Sequence, residues 1–231
     1  MEKLGQKTAT ATGSADFYRS RADDFIEQCY CSAPEAIQRG LAAELELIHR
    51  VAPPGRILEA GCGSGRVLEG LKRADRRLFG FDLVLGYLAE AKKKGVEGQL
   101  VAARGGRIPF RDGVFEAVFC VQPTLGMVGE EKAAMLGELR RVAKEGATLL
   151  VVVYAESSLA RRLEWYDRLA RKGLMAPIDW SQSSDDVLAT ADGHRSETFS
   201  RGRFEALLGD AGLAASFDPL GGIYWAALAT C

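Results

Sequence analysis

Histidine is almost absent from this sequence: His49 and His194 are the only two in 231 residues. An enzyme that moves protons with imidazole has little to choose from here. The five cysteines, Cys29, Cys31, Cys62, Cys120 and Cys231, contain no C-x-x-C pair and are odd in number. That spacing implies neither a zinc site nor a disulfide framework, and no metal is expected; reduced thiols in a cytoplasmic protein are the expected state. An excess of one charge is missing as well, since 30 Lys and Arg stand against 31 Asp and Glu, for a formal net charge of −1. No nucleic-acid partner and no membrane surface are therefore expected. No apolar run reaches the roughly 18 residues of a membrane-crossing helix. The polar start Met-Glu-Lys-Leu-Gly-Gln-Lys lacks the apolar core of a secretory leader.

What is present is enough apolar material for a full core, 47% of the residues. The length suits one α/β domain with decorations. The chain is organised around Leu58-Glu-Ala-Gly-Cys-Gly-Ser-Gly-Arg-Val67. Residues 56–59 read as a short buried strand and 64–71 as the helix after it. Gly61, Gly63 and Gly65 permit a tight turn and a close approach of ligand to the main chain. A strand, a glycine turn and a helix start together make a nucleotide pocket. The spacing E-x-G-x-G-x-G differs from the G-x-G-x-x-G of dinucleotide folds. A second apolar strand, 77–83, ends at Asp82, which lies 21 positions beyond Gly61, the separation at which a strand-end carboxylate meets a ribose.

Taken in order, residues 1–14 are polar and expected to be disordered. Residues 17–50 read as helical, split near Pro34, with Ile37, Leu41, Leu45 and Ile48 on one face and Pro53-Pro54-Gly55 as the stop. A helix over 85–94, a strand over 99–103 and a strand over 115–121 follow. Met135, Leu139 and Val142 mark a helix over 130–144, stopped by Gly146, before the unbroken apolar strand 148–154. The helix 158–172 has Leu159, Leu163, Tyr166 and Leu169 inward, and its arginines, interleaved with Glu164 and Asp167, read as a solvated face. Residues 173–197 break the pattern with Trp180 and Asp192-Gly-His-Arg, and a polar stretch of this length is expected to be a functional flap. Ser200 caps a helix over 201–211, and two closing strands meet at a turn over 219–222.

LEAGCGSGR resembles motif I of the class I S-adenosylmethionine (SAM)-dependent methyltransferases, here of the small-molecule type. Ile108-Pro-Phe-Arg-Asp-Gly-Val-Phe-Glu-Ala-Val resembles the family's "LPF-x-D-x-x-F-D-x-V" segment, with Glu116 in place of aspartate. ELRRVAKEGATLLVVV resembles its "E-x-x-R-V-L-K-P-G-G" helix and strand. The resemblance covers about residues 50–231. It implies a Rossmann-like α/β fold, a seven-stranded mostly parallel sheet with a C-terminal antiparallel hairpin and helices on both faces. The implied organisation is a disordered N-terminus and helical lead-in over 1–50, then a SAM-binding domain over 51–231 with a lid at about 173–197. In this family such a lead-in packs beside the SAM pocket and often touches substrate.

The resemblance implies SAM as cofactor. Gly61, Gly63 and Gly65 with Ala60 and Cys62 would shape the methionine end, Glu59 would orient the loop and reach the ammonium, and Asp82 with Leu83 would hold the ribose. Gln122 completes the implied cofactor set. Where the family commonly carries an aspartate for the adenine amino group, this chain has Arg104, so backbone atoms over 103–105 are expected to read that edge. Acceptor contacts are expected beyond the carboxyl ends of strands four and five, from Thr124, Tyr154 and Glu156, and from Trp180 in the flap. His194 is the candidate general base, since His49 at a helix end has a dipole reason to be there. The expected activity is methyl transfer to an N or O atom of a small molecule. A catalytically silent SAM-binding protein acting as partner or scaffold is the alternative, and the glycine spacing and closing hairpin disfavour a NAD-dependent oxidoreductase.

Overall fold

The computed structural model describes residues 14–21, 24–96, 98–122 and 124–231. Seven strands form one sheet: β1 (Gly55–Ala60), β2 (Arg76–Asp82), β3 (Gln99–Ala102), β4 (Phe115–Cys120), β5 (Ala143–Tyr154), β8 (Ala215–Leu220) and β9 (Tyr224–Thr230), in the order β3-β2-β1-β4-β5-β9-β8. Strands β1 to β5 pair in parallel, β9 runs antiparallel to β5, and β8 antiparallel to β9. The chain winds outward from β1 through β2 to β3, then returns to β4 on the other side. That reversal leaves a crevice beyond the carboxyl ends of β1 and β4, where open α/β sheets bind ligands. The two remaining strands, β6 (Val187–Ala189) and β7 (Arg195–Glu197), form a separate antiparallel hairpin.

Strand alternation divides the core in two. Leu150, Val152 and Tyr154 of β5 face one apolar cluster, while Leu149, Val151 and Val153 face the other. The first face is covered by α3 (Glu35–Val51), α5 (Leu85–Lys93) and α7 (Leu159–Arg171), the second by α6 (Lys132–Val142) and α8 (Arg201–Asp210). Helix α6 buries Met135, Leu139 and Val142 as their spacing predicts, and Ser200 Oγ caps α8 by accepting from Arg203 N–H. Among the described residues no helix is long and apolar enough to cross a membrane.

Several boundaries differ from the sequence reading. The lead-in is three helices, α1 (Ala15–Arg19), α2 (Phe25–Cys31) and α3, with α1 ending at Arg19 ahead of the break at Pro34. The predicted disorder over 1–14 falls outside the described residues except at Ser14. That residue is tied down: its N–H donates to Met127 O at 3.1 Å, and its hydroxyl exchanges hydrogen bonds with the Arg195 backbone at 2.6 and 2.7 Å. The helix of the glycine motif, α4 (Arg66–Gly70), is only five residues long. Gly146 does not stop α6. The helix ends at Val142, Ala143 is already extended, and Gly146 sits inside β5 with φ 76° where the pairing with β4 slips register.

Helix α7 departs furthest from expectation. Arg162, Trp165, Tyr166 and Leu169 form its buried side, while Leu159 is exposed. A solvated face describes Arg168 and Arg171, which pair with Glu164 and Asp167 one turn away. It does not describe Arg162, because backbone and hydroxyl acceptors from β7 and the residue after it reach into the core and satisfy two of its nitrogens.

Candidate active site

After β1 the chain turns through Gly61, Gly63 and Gly65, all at positive φ. A Cβ on Gly61 would stand 2.5 Å from Thr124 Cγ2, so this position excludes larger residues on two grounds. The Gly61 and Cys62 N–H groups donate to Phe81 O at 2.9 and 3.0 Å, anchoring the turn to β2. Asp82 braces it from the other side, accepting from Gly63 N–H and Val84 N–H, each at 2.9 Å. Burial pushes the Asp82 carboxyl up from its usual value, and those backbone donors oppose the shift.

A buried polar network stands beside the turn. Glu44 of α3, with no exposed surface, accepts from Arg66 at 2.7 Å and from the Gln122 N–H at 2.7 Å. Gln122 is the one described non-glycine residue at positive φ, 50°. Its side-chain amide lies between the Tyr30 hydroxyl and the Arg66 guanidinium, with both ends satisfied when its oxygen faces Arg66. Glu59 is buried nearby, and its Oε2 has no partner. Burial pushes the Glu59 carboxyl well up; Arg66 opposes this, while Glu44 and Asp82 add to it. Burial also raises Glu44, with Arg66 opposing. Two crowded carboxylates beside one guanidinium leave the pocket short of positive charge.

The crevice opens into a cavity of about 330 Å³. One end is walled by Gly61, Gly63, Asp82, Leu83, Gly105 and Met135, the other by Tyr18, Tyr30, Tyr154, Trp165, Tyr166 and His194. Helices α1 and α2 cover it, contributing Tyr18, Phe25, Ile26 and Cys29. They are held in place by Ser14 and by Arg21, which pairs with Asp192 and lies 4.2 Å from the centre of the Phe17 ring.

Of the residues expected in the site, Gly61, Cys62, Gly63, Asp82, Leu83, Gln122, Thr124, Tyr154 and His194 line this cavity. Glu59, Ala60 and Gly65 form the strand end and the turn beneath it. Glu156 and Trp180 do not belong to it. Glu156 accepts from Trp225 Nε1 at 2.8 Å, and Trp225 packs on the opposite face of the sheet from Tyr154 and Tyr224. Trp180 is 68% exposed, because the Asp179 carboxylate accepts from Ser181 N–H and ties the turn around it outward. The segment 173–197 thus divides: its tip faces solvent, while its start places Met175 and the β6–β7 turn places His194 on the cavity wall. Sequence reading missed Glu44, Arg66, Tyr30 and Tyr18. Glu44 had a signal, since it lies seven positions after Ile37 and four before Ile48 in the middle of the apolar stripe of α3.

His194 is 2% exposed, its Nε2 stands 2.9 Å from the Tyr166 hydroxyl, and its Nδ1 has no partner. Burial pushes its pKa from 6.5 to about 3, Arg162 adds to the shift, and Asp192 opposes it. Between those values the unfolded chain binds a proton that the folded chain refuses. The contribution to stability is therefore complete above about 6.5 and is lost as pH falls toward 3. The loss is on the order of 5 kcal/mol at the acid end. The raised carboxyls Glu44, Glu59 and Asp82 act in the opposite sense over the acid range, so the variant must isolate the effect. Denaturant titrations of wild type and His194→Gln are expected to diverge on acidification, the wild type losing stability faster. Parallel curves would mean that the imidazole is not held neutral.

Arg104 also lines the cavity, at its rim, 57% exposed on its side chain and paired with Glu131 at 3.0 Å. Arg104→Ala is expected to leave SAM affinity within roughly threefold, under about 0.7 kcal/mol. A loss of tenfold or more in calorimetry would place the guanidinium against the ligand.

Residues 58–151 match the family model described as a methyltransferase domain. An uncharacterized protein of Methanocaldococcus jannaschii is 28% identical over 123 residues, 53% of this chain and 56% of that protein, so the match spans little more than half of that relative's length. Among solved structures, a DhpI–SAM–HEP complex gives a TM-score of 0.67 at 21% identity, covering 96% of this chain and 99% of that one. The 1,6-didemethyltoxoflavin-N1-methyltransferase of Burkholderia thailandensis, with bound 1,6-didemethyltoxoflavin and S-adenosylhomocysteine, gives 0.62 at 15% identity, covering 98% and 92%. At such identities the structural likeness speaks for the fold alone, and the sequence match spans the glycine turn and the chain from within β1 to within β5. Residues 58–151 thus resemble a methyltransferase domain in sequence, and the chain shares the fold of solved SAM-dependent methyltransferases.

Proposed function

We propose that this protein binds SAM at the glycine turn and transfers its methyl group to an N or O atom of a small molecule held at the aromatic end of the cavity. The observation that carries the reading is the cavity itself, one continuous space from Gly61 and Asp82 to Tyr154, Tyr166 and His194. The site also suits the cofactor electrostatically. SAM brings a sulfonium and an ammonium, and Glu59 Oε2, buried without a partner, is the kind of group that such a cation satisfies. In this reading Asp82 accepts from the ribose hydroxyls, Glu59 and the turn hold the methionine end, and Gln122 and Thr124 border the reacting centre.

SAM supplies an already activated methyl, so the protein's part is to align the acceptor, which contributes about 7–11 kcal/mol where orientation is good. The aromatic walls and the α1–α2 cover would do this by excluding water and confining a flat molecule. His194, kept neutral, serves here as a hydrogen-bonding partner of Tyr166 and less as a strong base. A cover of two helices over a largely apolar cavity of this volume favours a small acceptor. Calorimetry with SAM, S-adenosylhomocysteine and NAD is the first test, with binding expected for the first two only. A metabolite extract incubated with methyl-labelled SAM then tests transfer. Cofactor binding without any labelled product would favour a silent binding protein, and NAD binding would overturn the reading.

A further inference from the structure

Arg162 is a fully buried guanidinium without a carboxylate. It donates to Thr198 Oγ1 at 2.6 Å and to Ser196 O at 2.9 Å, and its Nε has no partner. It stands 4.2 Å over the Tyr154 ring and 5.8 Å from the centre of the Tyr166 ring. Every one of these neighbours is neutral. Among the described residues the nearby carboxylates are taken: Glu197 by Lys132 and Arg203, Asp192 by Arg21. A buried cation with no counter-charge is costly, and an apolar residue of similar size would stabilise a core better. Its position says where the charge is felt. Tyr154 and Tyr166, the two rings beneath it, line the aromatic end of the cavity together with His194.

That end has no negative group of its own. The acidic residues that line the cavity are Asp82, committed to the glycine turn, and Glu130 and Glu131 at the rim near Arg104. The charged groups facing the aromatic end are Arg162 from α7, the Arg21–Asp192 pair from the lead-in and the β6–β7 turn, and, beyond Tyr30, the Arg66–Glu44 pair. The Arg21–Asp192 pair is internally balanced, and the carboxylate in excess beside Arg66, Glu59, lies at the strand end under the glycine turn, so at the Tyr154 and Tyr166 rings the nearest uncompensated charge is Arg162, little screened in an apolar site. A second observation points the same way. Tyr224, stacked on Tyr154 at 5.3 Å, lines the cavity with a buried hydroxyl that has no hydrogen-bond partner. It is a donor without an acceptor, on the wall beside the uncompensated charge.

We propose that the acceptor binds at this end as an anion, a phenolate or the deprotonated form of an acidic nitrogen heterocycle, with Arg162 as counter-charge behind the rings and the Tyr224 hydroxyl as donor. This rests on the methyl-transfer reading and narrows its substrate class. An anionic acceptor arrives as a nucleophile with no proton left to remove. Its lone pair forms the bond to the methyl carbon as the S–C electron pair returns to sulfur, and the negative charge of the acceptor cancels the positive charge of the sulfonium. A neutral product then loses its attraction to Arg162, which assists release. Arg162 is a positioning residue in this scheme, since it lies behind the cavity wall.

The test uses the full chain with S-adenosylhomocysteine bound, a small set of acidic phenols beginning with 4-nitrophenol, and the methyl ethers of the same phenols as neutral counterparts. At near-neutral pH the phenolates are expected to bind at least about tenfold more tightly than the ethers. The bound nitrophenol is expected to show the phenolate absorbance, with its apparent pKa lowered by about one unit. Arg162→Met should abolish the preference, Arg162→Lys should restore part of it, and Tyr224→Phe, which removes only a hydroxyl, should weaken the phenolates severalfold and leave the ethers unchanged. Ethers that bind as well as phenolates, a bound phenol that stays protonated, or no phenolate binding to a protein that holds S-adenosylhomocysteine would each overturn the proposal. Should Arg162→Met fail to fold, the Tyr224→Phe comparison still decides. Failure to bind SAM or its product would instead sink the methyl-transfer reading.

Discussion

Replacing Glu44 by leucine is expected to destabilise the fold by about 3–5 kcal/mol, the range for removing one partner of a buried charge pair. Leucine fills much of the same volume. It leaves the Arg66 guanidinium and the Gln122 N–H, both now bonded at 2.7 Å, facing an apolar surface. The loss at Gln122 exceeds one hydrogen bond, because this residue sits at φ 50° and the Glu44 contact helps hold it there. Glu44→Gln keeps an acceptor and removes only the charge, so it is expected to cost less. The gap between the two variants in denaturant titration measures what the charge contributes. A Glu44→Leu protein that unfolds at the wild-type midpoint would mean that α3 does not brace the end of β4. Since burial raises the Glu44 carboxyl, the folded chain holds its proton to higher pH than the unfolded one, and this group's contribution declines as pH rises through that interval.

Asp82→Ala is expected to weaken SAM binding by about 1.5–3 kcal/mol, the range for a hydrogen bond to a charged group. That is roughly ten- to a hundredfold in affinity. Two causes add. The variant loses the acceptor expected for the ribose hydroxyls, and it frees the Gly63 and Val84 N–H groups that the carboxylate now binds at 2.9 Å. Asp82→Asn separates them, since an amide oxygen can still take one backbone donor while the charge is gone. Calorimetry with unchanged affinity for Asp82→Ala would remove this residue from the cofactor site. A matched drop in melting temperature for both variants without ligand would assign the effect to the turn.

The cover over the aromatic end of the cavity is built by the part of the chain that looked least informative. Phe17, Tyr18 and Phe25 pack edge-on against one another, and Phe17 and Tyr18 both contact the His194 ring. Three polar ties, Ser14 to Arg195, Ser14 to Met127 and Arg21 to Asp192, close this group over the cavity. The segment 173–197 meets the lead-in there without replacing it as the cover.

Local chemistry determined the frame of this protein and the glycine-turn end of its cavity. Positive φ at Gly61, Gly63 and Gly65 is a property that glycine carries anywhere, so the turn was legible from three letters and their spacing. The unbroken apolar run of β5 announced a strand buried on both faces, and Asp82 announced itself by its distance from the turn. The aromatic end was decided by tertiary structure. An apolar stripe tells which face of a helix turns inward, but a polar residue on that face is tolerated only when distant atoms satisfy it. Arg162 depends on Ser196 and Thr198, 34 and 36 residues away, Glu44 on Gln122, 78 away, and Ser14 on Arg195, 181 away. The same dependence put Trp180 outside and His194 inside a segment that read as one polar stretch. No periodicity encodes those partners, because each hydrogen bond exists only after the sheet has brought the ends of its strands together.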